Sequence, residues 1–585
     1  MNPNETGKPN RRATSFVMEA GIISISSFLV KVIGVLFKIP LANILGDHMG
    51  IFTAAYSLYA MIYMVSTCGL PVAISRMVSA SAEKGREREA TRILRVSLTV
   101  FVIIGAVATA VMVLLAKPFL NATEHPDSVI AAYVIAPSLL FVCVVSAFRG
   151  YYQGLRNMYP TAVGQLIEAV LKFGLGLGAT LWAANRGLSP AVQAACAICG
   201  ITAGILLEMI MLFVYRLATR KKRPEGTDSE SASVAAITGK VMLIAFPATV
   251  TSSALYLSNF LDTVLIKSGL ISGGVPERTA DNLYSAYTSY PTAVADLLPS
   301  TLIYPLAISI LPAVSAALAV RNRKGADKFI TQSLRVSLLI GLPCCAVLAA
   351  TAPSCLTVLY RDAFGSYELI DAFSVASNAL RILAVGIVFM AVVSTGNALL
   401  NAVGKIWLPL VSVSSGVLCL ALIEYFGVRT PLGIYAAPLA SVACYAVAGL
   451  LNWLFLRKHT TADLSVIRIA GKPFLAAAAA FGATFLAHEG LTRLLPAEGR
   501  IGAALVLVLC GIVAMAAYVG LLALLKGVSR EDVALLPFGK KILKLFPEKG
   551  RGKDPEEPSG GSGNGEIPEP EAETAENIGG KGPQA

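Results

Sequence analysis

Charge is scarce in this chain. Only 14% of its 585 residues are Asp, Glu, Lys or Arg, against 55% hydrophobic residues and a mean hydropathy of +0.68. So little polar side chain excludes a single soluble core and points to the membrane class. Histidine is scarcer still: His48, His125, His459 and His488 fall in loops or at helix ends, with no metal-binding or catalytic spacing. There is no nucleophile elbow, no glycine loop that would cradle phosphate and no soluble catalytic domain. Neither catalysis, a metal, a cofactor nor a nucleic-acid partner is therefore expected. The ten cysteines lie mostly inside apolar runs, where the thiol acts as a small hydrophobe. Cys196 and Cys199 form a lone C-x-x-C with no second pair or histidine after it, which argues against zinc.

What the chain has in abundance is long apolar runs. Stretches such as Phe16 to Ile39 and Ile93 to Leu115 match the roughly twenty residues a helix needs to cross about 30 Å of hydrocarbon. Apolar runs between polar breaks place helices near 16–39, 51–75, 93–116, 128–148, 160–183 and 191–216. Further runs fall near 239–268, 282–312, 330–352, 375–400, 406–426 and 431–456, with a last pair near 469–489 and 501–526. The expectation is an all-α polytopic membrane protein of about 14 transmembrane helices. The first run follows a short basic leader with Lys8, Arg11 and Arg12 and no small-residue cleavage site, so it reads as a retained helix.

Basic residues alternate cleanly between loops. Arg76, Lys84, Arg86, Arg88 and Arg92 occupy one, Arg149 and Arg156 another. Arg216, Arg220, Lys221, Lys222 and Arg223 follow, then Arg321, Arg323, Lys324 and Lys328, then Arg457 and Lys458. The intervening loops are poor in them, and Asn121 to Ser128 carries only Glu124 and Asp127 as charges. Lys and Arg stay on the cytoplasmic side during insertion, so both termini are expected there, in a cytoplasmic membrane. From Glu548 the tail has nine acids and four bases and is rich in Pro and Gly, a composition that predicts disorder. Its −5 leaves +17 of the total +12 on the membrane part, suited to anionic lipid.

Two strings recur. Pro71-Val-Ala-Ile-Ser75 is echoed by Pro305-Leu-Ala-Ile-Ser309, and Leu94-Arg-Val-Ser-Leu98 by Leu334-Arg-Val-Ser-Leu338, each pair bracketing the equivalent basic loop. Helices 1 to 6 and 7 to 12 therefore read as parallel repeats. The expected division is a leader 1–15, a first six-helix lobe 16–216, a basic linker 217–238, a second lobe 239–456, two added helices 457–526, and a tail 527–585 that is disordered from about 548.

Charges in the bilayer centre cost roughly 2.5–3.5 kcal/mol or more, so each needs a reason. Lys31 lies too deep in the first helix for easy snorkelling and reads as lining a wet cavity, the alternative being a static ion pair or snorkelling beside Lys38. Glu168 and Lys172 are four apart on one helical face, where they either neutralise each other or serve gating and headgroup binding. Asp296 falls between Pro291 and Pro299, the layout of a broken helix with a mid-depth carboxylate. Asp262, Glu208 and Arg381 read as interfacial, at or near helix ends. Arg76, Arg149 and Arg156 read as cytoplasmic loop cations, either serving only to set orientation or gripping a diphosphate bidentately at the cavity mouth.

At Gly69-Leu-Pro-Val-Ala-Ile-Ser-Arg76, Phe148-Arg-Gly-Tyr-Tyr-Gln-Gly154 and Pro160-Thr-Ala-Val-Gly-Gln-Leu-Ile-Glu168, the chain resembles the stage V sporulation protein B group. That group belongs to the polysaccharide exporter branch of the MOP/MATE-like flippase superfamily, and the resemblance covers about residues 16–526. It implies a MurJ-type architecture: two six-helix lobes around a cationic cavity, with two further helices forming a lipid-facing groove. It also implies export of an undecaprenyl-diphosphate-linked saccharide, lipid II or a related cell-wall or spore-cortex precursor. Gly164 stands where Ser is expected and Lys172 where Arg is common. On this reading Lys31, Arg76, Arg149 and Lys172 receive the headgroup, and Glu168, Asp296 and Asp262 serve gating or ion coupling. Partners are the polyprenyl-diphosphate-linked saccharide, the bilayer and, as candidates, cell-wall synthesis enzymes. The rivals are a MATE-type cation or drug antiporter, which needs an acidic cavity where the first helix offers Lys31, and a non-transporting scaffold for cell-wall or spore enzymes docked by the acidic tail.

Overall fold

Apolar runs of twenty to forty residues satisfy their own backbone only as helices, because lipid offers no hydrogen-bond partner. In a computed structural model that describes residues 11–67, 69–83, 85–155, 157–219, 233–303, 314, 323–405, 407–495 and 499–528, every regular element is helical. The first lobe comprises α1 (Arg11–Leu45), α2 (Met49–Thr67), α3 (Leu70–Glu83), α4 (Glu87–Ala122), α5 (Val129–Ile135), α6 (Ser138–Gly154), α7 (Tyr159–Leu171), α8 (Leu177–Asn185) and α9 (Pro190–Ala218). The second comprises α10 (Val234–Ser272), α11 (Glu277–Ser289), α12 (Pro291–Leu298), α13 (Arg323–Phe364), α14 (Ala372–Ala402), α15 (Trp407–Gly427) and α16 (Ala436–His459). The last two helices, α17 (Lys472–Leu494) and α18 (Arg500–Leu524), pack on α13.

Eleven spans among the described residues are long and apolar enough to cross a membrane. The expected count of about fourteen exceeds this partly because several traverses are joined or broken. Leu29–Met64 counts as one span across the turn Gly46–His48, and α11 and α12 are separate short helices with a π-helical turn, Pro299–Ile303, after them. Prolines account for most of the breaks. Pro343 and Pro353 lie inside α13, whose Thr351 and Tyr360 depart from helical dihedrals. The repeated string at 305–309, Arg156, most of the basic linker and the tail from 529 lie outside the described residues. Of the other repeat, Leu94 and Leu334 are both buried, in α4 and α13.

One end of the bundle gathers the basic loops and the other the turns at Gly46, Glu124 and Gly274; these are the basic and distal ends below. The packing is unequal between them. At the distal end a single core joins both lobes, with Phe37, Leu41 and Met49 of the first packed among Tyr284, Tyr290, Leu356 and Tyr360 of the second. Toward the basic end there are two smaller cores, one around Leu70, Ile93 and Phe148 that α10 joins through Ile237, Val241 and Ala245, and one around Leu334, Leu399 and Leu456.

Polar contacts seal the distal seam. Tyr290 donates to the Gly46 carbonyl at 2.6 Å, the Gly50 amide to Ser285 Oγ at 3.1 Å, and the Asp47 amide to Ser366 Oγ at 3.0 Å. Asn43 donates to the Leu359 carbonyl at 2.9 Å and accepts from the Ala363 amide at 3.2 Å. Gly50 is needed there: a Cβ would stand 2.2 Å from Ser285 Oγ. Lys267 of α10 adds a charged contact. Its buried ammonium pairs with Asp281 at 2.5 Å and donates to the Glu124 carbonyl in the first lobe, while the adjacent His125 ring lies 4.6 Å from that of Tyr284.

Candidate functional site

Helix α1 runs 35 residues, about 52 Å, so Lys31 lies about 21 Å from its distal end and Lys38 nearer to it. Both lysines face the second lobe electrostatically through one carboxylate, Asp296 on α12. Asp296 is exposed and yet within range of two cations of the opposite lobe, so the space it opens onto lies between the lobes. The short helix that carries it starts at Pro291 and gives way at Pro299 to a π-helical turn, the break expected from the two prolines.

The third lysine sits at another irregularity. Lys172 opens a π-helical turn, Lys172–Gly176, between α7 and α8. Its ammonium lies over the Phe37 ring at 5.1 Å and the Tyr56 ring at 5.9 Å, within cation–π reach, and within electrostatic range of Lys38 and Glu168. The π-turn is possible because α9 offers glycine: a Cβ on Gly200 would sit 2.3 Å from the Gly176 nitrogen.

Glu168 directs its carboxylate to Arg149, at 3.3 Å. Arg149 is no loop residue. It lies inside α6 with its side chain 15% exposed, and it grips Glu208 of α9 through Nε to Oε1 at 2.9 Å and Nη2 to Oε2 at 2.6 Å. This corrects the reading of Arg149 as a loop cation, because α6 runs on to Gly154. It corrects Glu208 as well: far from interfacial, its side chain is fully buried. The Glu208 carboxylate rests over Gly164, where a Cβ would come within 2.6 Å of Oε1. The glycine at 164 is thus matched to the ion pair that covers it. Arg76 stands apart from this network, exposed on α3 at the basic end.

In the second lobe Asp262 is also buried, well inside α10, which continues to Ser272 and so removes the interfacial reading. Its carboxyl faces that of Glu424 on α15, fully buried and missed in the sequence. Asp262 Oδ1 and both Glu424 oxygens lack a hydrogen-bond partner among the described residues. Two facing carboxyls at membrane depth can hold one proton between them or a small cation. The sequence signal for Glu424 was an acid just inside the end of an apolar run, the same pattern that makes an ordinary interfacial residue.

The family model described as polysaccharide biosynthesis protein matches residues 16–318, and the MatE model matches residues 294–426. YabM, a membrane protein of Bacillus subtilis, is 27% identical over 533 residues, covering 90% of this chain and 96% of that protein. Stage V sporulation protein B of the same organism is 25% identical over 352 residues, 59% of this chain and 67% of its own. Its lipid II flippase MurJ is 21% identical over 453 residues, 75% and 82%. Among solved structures, a lipid II flippase MurJ in an inward closed conformation matches with a TM-score of 0.60 at 12% identity, covering 86% of this chain and 98% of that one.

Proposed function

Since the chain belongs to the polysaccharide biosynthesis protein family of the MOP superfamily, we propose that it flips an undecaprenyl-diphosphate-linked saccharide across the cytoplasmic membrane. Lipid II or a related cell-wall or spore-cortex precursor is the cargo, and the two lobes give it alternating access. The observation that carries this reading is the pair Lys31 and Lys38 of one lobe facing the carboxylate Asp296 of the other, with the third cation, Lys172, beside Lys38. In the absence of cargo Asp296 is the counter-ion of Lys31 and Lys38. An entering diphosphate, with more charge and more acceptor oxygens, displaces it, so the contact holding the lobes in one relation is exchanged for contact with cargo. The polyprenyl tail stays in lipid, where transferring it to water would be costly.

The basic end faces the cytoplasm, with both termini, because of where Lys and Arg are retained. On this reading the shared distal core closes the outer side, and Arg76 meets the cargo at the cytoplasmic mouth. Arg149 acts indirectly, tying α6, α7 and α9 into one body through Glu168 and Glu208. Reconstituted protein should move fluorescent lipid II between leaflets, and Lys31→Ala should slow it at least tenfold. Wild-type rates in Lys31→Ala would remove the lysine set from the mechanism.

The Asp262–Glu424 pair favours a second reading, an ion-coupled antiporter. In the flippase reading the same pair is the ion-coupling site. Gradient-driven efflux of a cationic dye, with no lipid II movement, would replace the first reading by the second.

A further inference from the structure

Helix α2 carries four aromatic residues on one face, Phe52, Tyr56, Tyr59 and Tyr63, at the alternating four-and-three spacing of a helical stripe. Their rings form a continuous ladder. Phe52 stacks on Tyr56 at 5.9 Å with the planes 6° apart, and Tyr56 to Tyr59 and Tyr59 to Tyr63 follow at 5.8 Å each. Such a stripe is ordinarily core, and this protein contains that case too. On α11 and just after it, Tyr284, Tyr287 and Tyr290 are fully buried and spend their hydroxyls on Thr263, Ser441 and the Gly46 carbonyl. The α2 ladder differs because it is not sealed: Tyr56 is 37% exposed and Tyr63 half-buried, while Phe52 and Tyr59 pack behind them.

The ladder lies along the charged wall. Lys172 stands over Tyr56, Glu168 lies within electrostatic range of Tyr59, and Arg149 within range of Tyr63. An aromatic rail of about 16 Å therefore runs beside a rail of cations and carboxylates on the same lobe. A saccharide diphosphate has these two halves. Its phosphates need cations, and its pyranose rings present electropositive C–H faces that suit the negative face of an aromatic ring.

We propose that Tyr56 and Tyr63 form a saccharide-stacking wall that reads the sugar part of the cargo, while the lysines hold its diphosphate. The proposal rests on the flippase reading and adds to it the surface that separates a glycosylated lipid from a bare one. Losing one stacking platform should weaken binding by about twofold to tenfold.

The test compares two ligands on the purified full chain in detergent: undecaprenyl diphosphate, and the same lipid carrying a disaccharide. Tyr63→Leu keeps apolar bulk, leaves the Lys172 contact on Tyr56 in place and removes one ring face; it should weaken the saccharide-bearing lipid by about tenfold or less and leave the bare lipid unchanged. Tyr63→Phe should behave as wild type. Unchanged binding of the bare lipid also shows that Tyr63→Leu has folded. Equal weakening of both ligands would assign the ladder to the lipid tail or to packing and overturn the proposal, as would no weakening of either. A wild-type chain that binds neither lipid would overturn the flippase reading itself, and the proposed occupant with it.

Discussion

Gly164→Ala should destabilise this protein, although alanine is the better helix former. The new Cβ would lie 2.6 Å from Glu208 Oε1, 2.9 Å from Cγ and 3.0 Å from Cδ, so the whole end of the side chain is in the way. Restoring an ordinary 3.4 Å contact needs a retreat of about 0.8 Å. That retreat stretches the 2.9 Å bond from Arg149 Nε to about 3.7 Å, beyond hydrogen-bonding range. A hydrogen bond to a charged group is worth about 1.5–3 kcal/mol, and replacing glycine in a helix returns about 1 kcal/mol, for a net loss of about 0.5–2 kcal/mol. In a Glu208→Ala background the obstacle is gone while Glu168 still holds Arg149, so the same substitution should stabilise by up to about 1 kcal/mol. Thermal unfolding of the four proteins in detergent measures both effects. A shift of the same sign and size in both backgrounds would refute the claim that Glu208 dictates the glycine.

Three further outcomes follow from the same contacts. Lys267→Met removes the charge joining Asp281 to the Glu124 carbonyl, and should raise the labelling of distal-seam cysteine reporters by an impermeant maleimide; unchanged labelling would show that the seam holds without this charge. Burial, together with the nearby Lys267, pushes the His125 imidazole from 6.5 down to about 3. The unfolded chain therefore binds a proton there that the folded one refuses, so stability is full above about 6.5 and declines as pH falls toward 3. His125→Phe should flatten that limb of the melting curve against pH, and an unaltered slope would assign it to other groups. Glu424→Gln relieves two facing buried carboxyls, so the melting midpoint should hold or rise while lipid movement loses its dependence on a sodium or proton gradient. Retained dependence would move ion coupling elsewhere.

Hydropathy made the membrane class and the depth of Lys31 and Asp296 legible, because cost in lipid depends on position along the helix and the sequence gives position directly. The two prolines around Asp296 announced the broken helix. What stayed hidden was direction. Arg149 and Glu208 are 59 residues apart, on different helices, and nothing along either run says that the two side chains point at each other. Asp262, Glu208 and Glu424 sit near the ends of apolar runs, and neighbouring helices pack over all three positions. Glu168 and Lys172 share a face as their spacing requires, yet the carboxylate turns to Arg149 and the ammonium to two aromatic rings. Rotation about the helix axis and choice of partner belong to tertiary packing, which spacing within one helix does not encode.

The single core shared by the lobes at the distal end sets the thermal behaviour of turnover. Parting the lobes there brings Phe37, Leu41, Tyr290 and Leu356 out of apolar contact and toward water, whereas at the basic end the apolar core shared across the lobes is the smaller one that α10 joins through Ile237, Val241 and Ala245. Hydration of apolar surface carries a large heat capacity, so a rate limited by distal opening has an activation enthalpy that grows with temperature. Its Eyring plot bends, and cooling favours the opened form more than a polar seam alone would allow.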